Sequence, residues 1–249
     1  YDAEPEVSDR PSGQAPSNIQ GAFDLKNVSY TYPGADKPVL RNINIEIAAG
    51  ESIAIVGRIG CGKSTLLKLF TRMIDTPDAS LYIDGHDVND YPLSQLRQQV
   101  SQVLQDSFLF GEPLYSNISY DDPERNLELI WDAAESASLR GSIDDFPMKM
   151  HTIVGERGVT LSGGQKQRAT LARGLIRNAP VLILDDCFSS VDTKTEEHIL
   201  SRLKRLRAGK TTILVSHRIS TLRHSDRIVV LEAGEIVEIG SHEALLELN

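Results

Sequence analysis

The stretch that most constrains this 249-residue chain is Gly57-Arg58-Ile59-Gly60-Cys61-Gly62-Lys63-Ser64-Thr65, which follows the pattern G-x-x-x-x-G-K-[ST]. An unbroken apolar run, Ile53-Ala54-Ile55-Val56, precedes it, and apolar positions at helical spacing, Leu66, Leu67, Leu69 and Phe70, follow it. The order is strand, glycine loop, helix, which commits the chain to an α/β core. Glycines let the backbone curl until successive N–H groups point inward, and the helix behind them turns its positive dipole end to the same spot. Such a cradle suits phosphate. In this pattern Lys63 reaches the β- and γ-phosphates of a nucleotide and Ser64 a Mg²⁺ ion.

A second segment supplies what the cradle lacks. Val181-Leu182-Ile183-Leu184-Asp185-Asp186 reads as a buried strand ending in two acids. Asp185 is the expected metal carboxylate. Asp186, pointing the other way if strand geometry persists, is placed to face a water attacking the γ-phosphate.

Composition narrows the partners. Lys and Arg number 26 against 35 Asp and Glu, a net charge of -9 that repels phosphate backbones and anionic headgroups, so nucleic acid is not expected as a partner. Two cysteines, Cys61 and Cys187, make no disulfide framework, which suits a reducing, intracellular compartment. No run approaches the roughly 18 apolar residues of a membrane-crossing helix. The chain starts at Tyr1 without a secretory pattern or an initiator Met, as expected of a fragment.

Residues 1–21, rich in Pro, Ser, Asp, Glu and Gly, read as an extended linker, with the folded unit spanning 22–249. Phe23 to Val28 and Ile43 to Ile47 alternate as antiparallel strands do, separated by the turn at Pro33-Gly34. Leu127 to Leu139 and Gln165 to Arg177 show helical spacing, placing a helical insert at about 107–170. Thr212 to Val215 reads as a further central strand, and Ile228 to Leu231 with Glu235 to Glu238 as a hairpin turning at Ala233-Gly234.

Leu161-Ser162-Gly163-Gly164-Gln165 singles out one family among the many that carry a phosphate loop. With the rest of Phe23 to Leu248 it resembles the ATP-binding domain of ABC (ATP-binding cassette) transporters. The resemblance implies a P-loop NTPase fold of RecA-like type: a parallel-sheet core with an antiparallel β subdomain and a helical signature subdomain. It implies ATP and Mg²⁺ as cofactors, and a second such domain docked head to tail, each P-loop facing the other's signature. Gly57, Arg58, Ile59, Gly60, Cys61, Gly62, Lys63, Ser64 and Thr65 then bind nucleotide from one side. Ser162, Gly163, Gly164 and Gln165 bind it from the other.

Matched residue by residue, Tyr32 resembles the aromatic that stacks on adenine, and Gln105 the glutamine on Mg²⁺ or the attacking water. His217 resembles the switch histidine at the γ-phosphate, and Asp192 the acid of the loop that reports to the opposite site. Val154-Gly155-Glu156-Arg157-Gly158 resembles the exporter loop that meets the membrane domain. The implied setting is the cytoplasmic face of a membrane, where the fragment, itself soluble, serves a transmembrane partner. Soluble relatives of chromosome maintenance or translation would bring coiled-coil inserts or basic surface, which this chain lacks.

The chain departs from the family at Asp186, where most members carry Glu. A carboxylate one methylene shorter implies slow hydrolysis, as in the weak site of a heterodimeric exporter, with a slow homodimeric ATPase and a non-hydrolysing ATP-binding module as alternatives. Cys61, beside Lys63 at a helix start, is expected to be a reactive thiol whose alkylation blocks ATP binding.

Overall fold

A computed structural model describes residues 5, 7–10, 15–155 and 159–247. The chain begins with β1 (Phe23–Tyr30), β2 (Leu40–Ile47), β3 (Ser52–Val56), α1 (Lys63–Phe70), β4 (Leu81–Ile83), β5 (His86–Asp87), α2 (Leu93–Gln99) and β6 (Val100–Val103). Helices follow: α3 (Leu114–Ile118), α4 (Leu127–Ser136), α5 (Arg140–Asp144) and α6 (Gly163–Leu175). The remainder is β7 (Val181–Asp185), α7 (Thr193–Leu206), β8 (Thr211–Val215), α8 (Ile219–Leu222), β9 (Arg227–Glu232), β10 (Glu235–Gly240) and α9 (His242–Glu247).

Among the described residues the strands form a four-stranded sheet in the order β2-β1-β4-β5 and a six-stranded one in the order β10-β9-β3-β8-β7-β6. The first is antiparallel; in the second, β6, β7, β8, β3 and β9 run parallel and β10 closes the edge antiparallel. Every residue of β7 and β8 is buried, because the sheet is covered on both faces. Side chains alternate between two apolar cores: Val181, Ile183, Ile213 and Val215 face the one shared with α1 and the antiparallel sheet, while Leu182, Leu184 and Leu214 face the helical side. The P-loop NTPase fold expected from the sequence is the one observed.

Differences in extent have local causes. α6 starts at Gly163, two residues before the expected helix, because Ser162 and Gln165 close a capping box ahead of it. α4 stops at Ser136, short of Leu139, where Ser138 adopts a left-handed φ of 53°. At the hairpin, Ala233 and Gly234 both have positive φ, 46° and 84°, as a tight two-residue turn between twisted strands requires.

Packing also starts before Ala22. Ile19 is buried in the core against the antiparallel sheet, its amide donates to the Gln99 side chain at 2.7 Å, and the Asp84 carboxylate accepts from the amides of Gln20, Gly21 and Ala22. Among the described residues no helix is long and apolar enough to cross a membrane. Of the loop Val154–Gly158, the residues Glu156, Arg157 and Gly158 lie outside the described residues.

Candidate active site

β3, β6, β7 and β8 all end at one edge of the parallel sheet, so the loops that follow them converge there. The loop after β3 passes under its neighbours too tightly for side chains: a Cβ on Gly57 would meet the Leu231 carbonyl at 2.1 Å, and one on Gly62 would lie 2.7 Å from the Leu40 side chain. Gly62, at φ 107°, also holds a conformation that favours glycine as the chain enters α1. Lys63 heads that helix and is 8% exposed; its Nζ donates to the carbonyls of Gly57 at 2.7 Å and Arg58 at 3.0 Å. No described carboxylate pairs with it at ion-pair distance. A nearly buried cation that no described carboxylate pairs with fits an anionic ligand.

Asp185, at the end of β7, is 7% exposed and accepts a hydrogen bond from the Ser64 hydroxyl. Burial pushes its carboxyl above the usual range, and Asp186 adds to the rise while the Ser64 bond opposes it. A carboxylate, a hydroxyl and the Gln105 amide form an all-oxygen donor set of the kind a Mg²⁺ ion shares with phosphates and water. Among the described residues no group of three or more His, Cys, Asp and Glu could hold a metal without such help.

The expectation that strand geometry persists through Asp186 is corrected. Asp186 sits in the left-handed region at φ 44°, its N–H bonded to the Val215 carbonyl of β8 at 3.0 Å. Strand alternation therefore does not set its direction; the turn does, and Asp is among the few residues that enter it readily. Its carboxyl too is pushed up by burial, with His217 and Arg218 pulling it down.

Asp185 and Asp186 line a cleft of about 430 Å³ together with Ile59, Gly60, Gly62, Lys63, Ser64, Thr65, Gln105 and His217. Val39, from the loop between β1 and β2, completes the wall, and no sequence signal marked it. Gly57, Arg58 and Cys61 belong to the loop but do not line the cleft, and Tyr32 adjoins it through its hydroxyl, 3.1 Å from that of Thr65. Cys61 is 5% exposed, its sulfur 3.7 Å from Lys63 Nζ. Burial thus screens the thiol that its loop position suggested would be reactive, and Cys187 is also buried, its pKa raised.

The signature pentad lies elsewhere. Ser162, Gly163, Gly164 and Gln165 do not line this cleft. Ser162 Oγ accepts from the Gln165 amide at 3.2 Å, and Gln165 Oε1 accepts from the Ser162 amide at 2.9 Å. A Cβ on Gly164 would stand 2.8 Å from the Ser190 carbonyl, so the start of α6 fits closely against the segment before α7. Asp192 caps α7, accepting from the Thr195 amide at 3.0 Å.

Residues 40–189 match the family described as ABC transporter. The chain is 44% identical over 228 residues to an ATP-dependent lipid A-core flippase of Escherichia coli, covering 91% of this chain and 39% of the relative. It is 43% identical over 245 residues to a flippase of the same description from Syntrophus aciditrophicus, covering 98% and 40%. Among solved structures, a bacterial Atm1-family ABC exporter with ATP bound superposes at a TM-score of 0.93 and 38% identity, over 99% of this chain and 43% of that one. The chain spans about two fifths of the length of the curated relatives it matches. It belongs to the ABC transporter family, of which it carries the ATP-binding domain.

Proposed function

We propose that this chain binds Mg-ATP in the cleft over Gly57–Thr65 and hydrolyses it to drive export by a membrane partner. The observation that carries the reading is the convergence of Lys63, Ser64, Gln105, Asp185, Asp186 and His217 on one cleft from four separate loops. Lys63 turns from the Gly57 and Arg58 carbonyls to the phosphates, and the amides of the loop cradle them. Tyr32 offers its ring to the adenine beside Thr65.

Ser64, Gln105 and Asp185 would hold Mg²⁺, which when bound polarises the phosphate oxygens. Asp186 accepts a proton from the attacking water as the water oxygen bonds to the γ-phosphorus and the bond from that phosphorus to the ADP oxygen breaks. Its raised pKa suits a base. His217 steadies the charge that builds on the γ-phosphate.

The exposed capping box of α6 supports pairing with a second such domain, because Ser162 and the first helical amides offer a phosphate-binding end that does not line the chain's own cleft. The surface near Gln105 supports a seat for the membrane partner: Leu104, Phe108 and Tyr120 are exposed around a groove also lined by Arg173 and Arg177. The relatives' flippase and exporter descriptions support transport; the substrate class stays with the relatives.

One observation favours a second reading of the same site. Asp186 stands where the resemblance expects Glu, and its left-handed turn suits Asp better than a longer side chain. On that reading this cleft is the slow one of an asymmetric pair, while the intact pentad completes the partner's fast one. Asp186→Glu in the intact transporter is expected to raise turnover by about tenfold or more, measured as phosphate release. Unchanged turnover excludes the slow-site reading.

A further inference from the structure

We propose that Glu196 is a positioning residue for His217, holding the histidine's loop in place from beneath. The inference rests on the reading that His217 serves hydrolysis. Glu196 lies in the first turn of α7 and is completely buried. A buried carboxylate is costly unless paired and hydrogen-bonded, and here both conditions are met by residues flanking His217.

One oxygen of Glu196 takes the Arg218 guanidinium and the other the Thr221 hydroxyl. The Thr221 oxygen lies 3.0 Å from the Ser216 hydroxyl, and Ser216 Oγ accepts from the Arg218 amide at 3.1 Å. With the carboxylate able only to accept, the donors align one way: Arg218 N–H to Ser216, Ser216 O–H to Thr221, Thr221 O–H to Glu196. The Arg218 side chain closes the ring onto the same carboxylate. Both neighbours of His217 therefore hang on one buried charge, while His217 itself stands exposed in the cleft.

The ring also reaches the signature helix. Arg218 donates to the carbonyls of Val191 at 2.7 Å and Ser189 at 3.0 Å. Gln167 of α6, itself nearly buried, donates to the Ser189 hydroxyl at 2.7 Å and accepts from the Ser190 amide at 2.8 Å. A displacement at the pentad can thus be passed to His217 through a contiguous set of bonded groups.

A ring that merely stabilised the fold would affect every variant alike, whereas a positioning role vanishes once His217 is gone. In the intact transporter, Glu196→Gln is expected to lower kcat for ATP about tenfold with KM changed less than about twofold. In a His217→Ala background the same change is expected to alter kcat less than about twofold. Thr221→Val should repeat the pattern and Thr221→Ser restore normal turnover, which keeps the test open if Glu196→Gln does not fold. An equal loss in both backgrounds, or full activity of both Glu196→Gln and Thr221→Val while His217→Ala is impaired, overturns the proposal. Full activity of His217→Ala overturns the reading beneath it.

Discussion

Lys63→Ala is expected to weaken ATP binding by about a hundredfold or more and to abolish measurable turnover, while leaving the fold intact. Hydrogen bonds from an ammonium to phosphate oxygens contribute about 1.5–3 kcal/mol each, and this side chain sits where it can make two of them. The ligand-free protein loses less. Lys63 itself lines the open cleft, so truncating it lets water reach the Gly57 and Arg58 carbonyls it had satisfied, and the unfolding midpoint should move by only a few degrees. Nucleotide titration and a thermal melt on the same preparation separate the two effects. Undiminished affinity in a folded variant would rule out the cradle as the nucleotide site.

Asp185→Asn should change stability and activity in opposite directions. The carboxyl is nearly buried, its pKa raised first by burial and then by Asp186 beside it, so at neutral pH the ionised form strains the ligand-free fold. An amide of the same shape keeps a partner for Ser64 and removes the charge. The variant should melt about 2–4 °C higher, equivalent to about 1 kcal/mol in a chain of this size. It should also lose about a hundredfold or more in Mg²⁺-dependent turnover.

The sign of the pH dependence follows from the raised pKa. A folded-state pKa above the unfolded one means that the wild type pays its penalty only where the group ionises. The gap in melting temperature is therefore present at pH 7 and closes as pH falls below the unfolded carboxylate value of about 3.9. A variant less stable than wild type at pH 7 contradicts the strained-carboxylate account.

Much of the core could be read directly because local pattern and final environment agree there. β7 and β8 are apolar throughout and are buried throughout, and the glycine loop is confined by its own backbone. β6 is not legible as a strand because its sequence, Val-Ser-Gln-Val, is half polar, and those polar groups find partners only after folding: Ser101 donates to the Gly174 carbonyl, and Gln102 accepts from Thr71. α7 is hard to read for a related reason, since its buried apolar residues, Ile199, Leu200 and Leu203, sit among many charges.

Glu196 shows the limit most plainly. A glutamate in a charged helical stretch reads as solvent-facing, and its burial depends on Arg218, 22 residues away, folding back over it. Asp186 likewise looked like one more strand residue until the turn reversed its backbone. The phosphate-loop pattern marked Lys63 and Ser64, the strand-end acids marked Asp185 and Asp186, and the family resemblance marked Gln105 and His217, but the pairing of Lys63 with carbonyls and the strain at Asp185 depend on three-dimensional neighbours.

The central claim is that the loop at 57–65 and the pentad at 161–165 grip ATP in paired domains from opposite sides. A structure of the intact transporter with Mg-ATP, its hydrolysis slowed by Asp186→Asn, tests this most directly. The account predicts nucleotide phosphates on the amides of Gly60–Thr65, and Ser162 within hydrogen-bond distance of the γ-phosphate held by the opposite domain. A nucleotide bound away from Lys63, or a pentad facing solvent with both ATP sites filled, would contradict it.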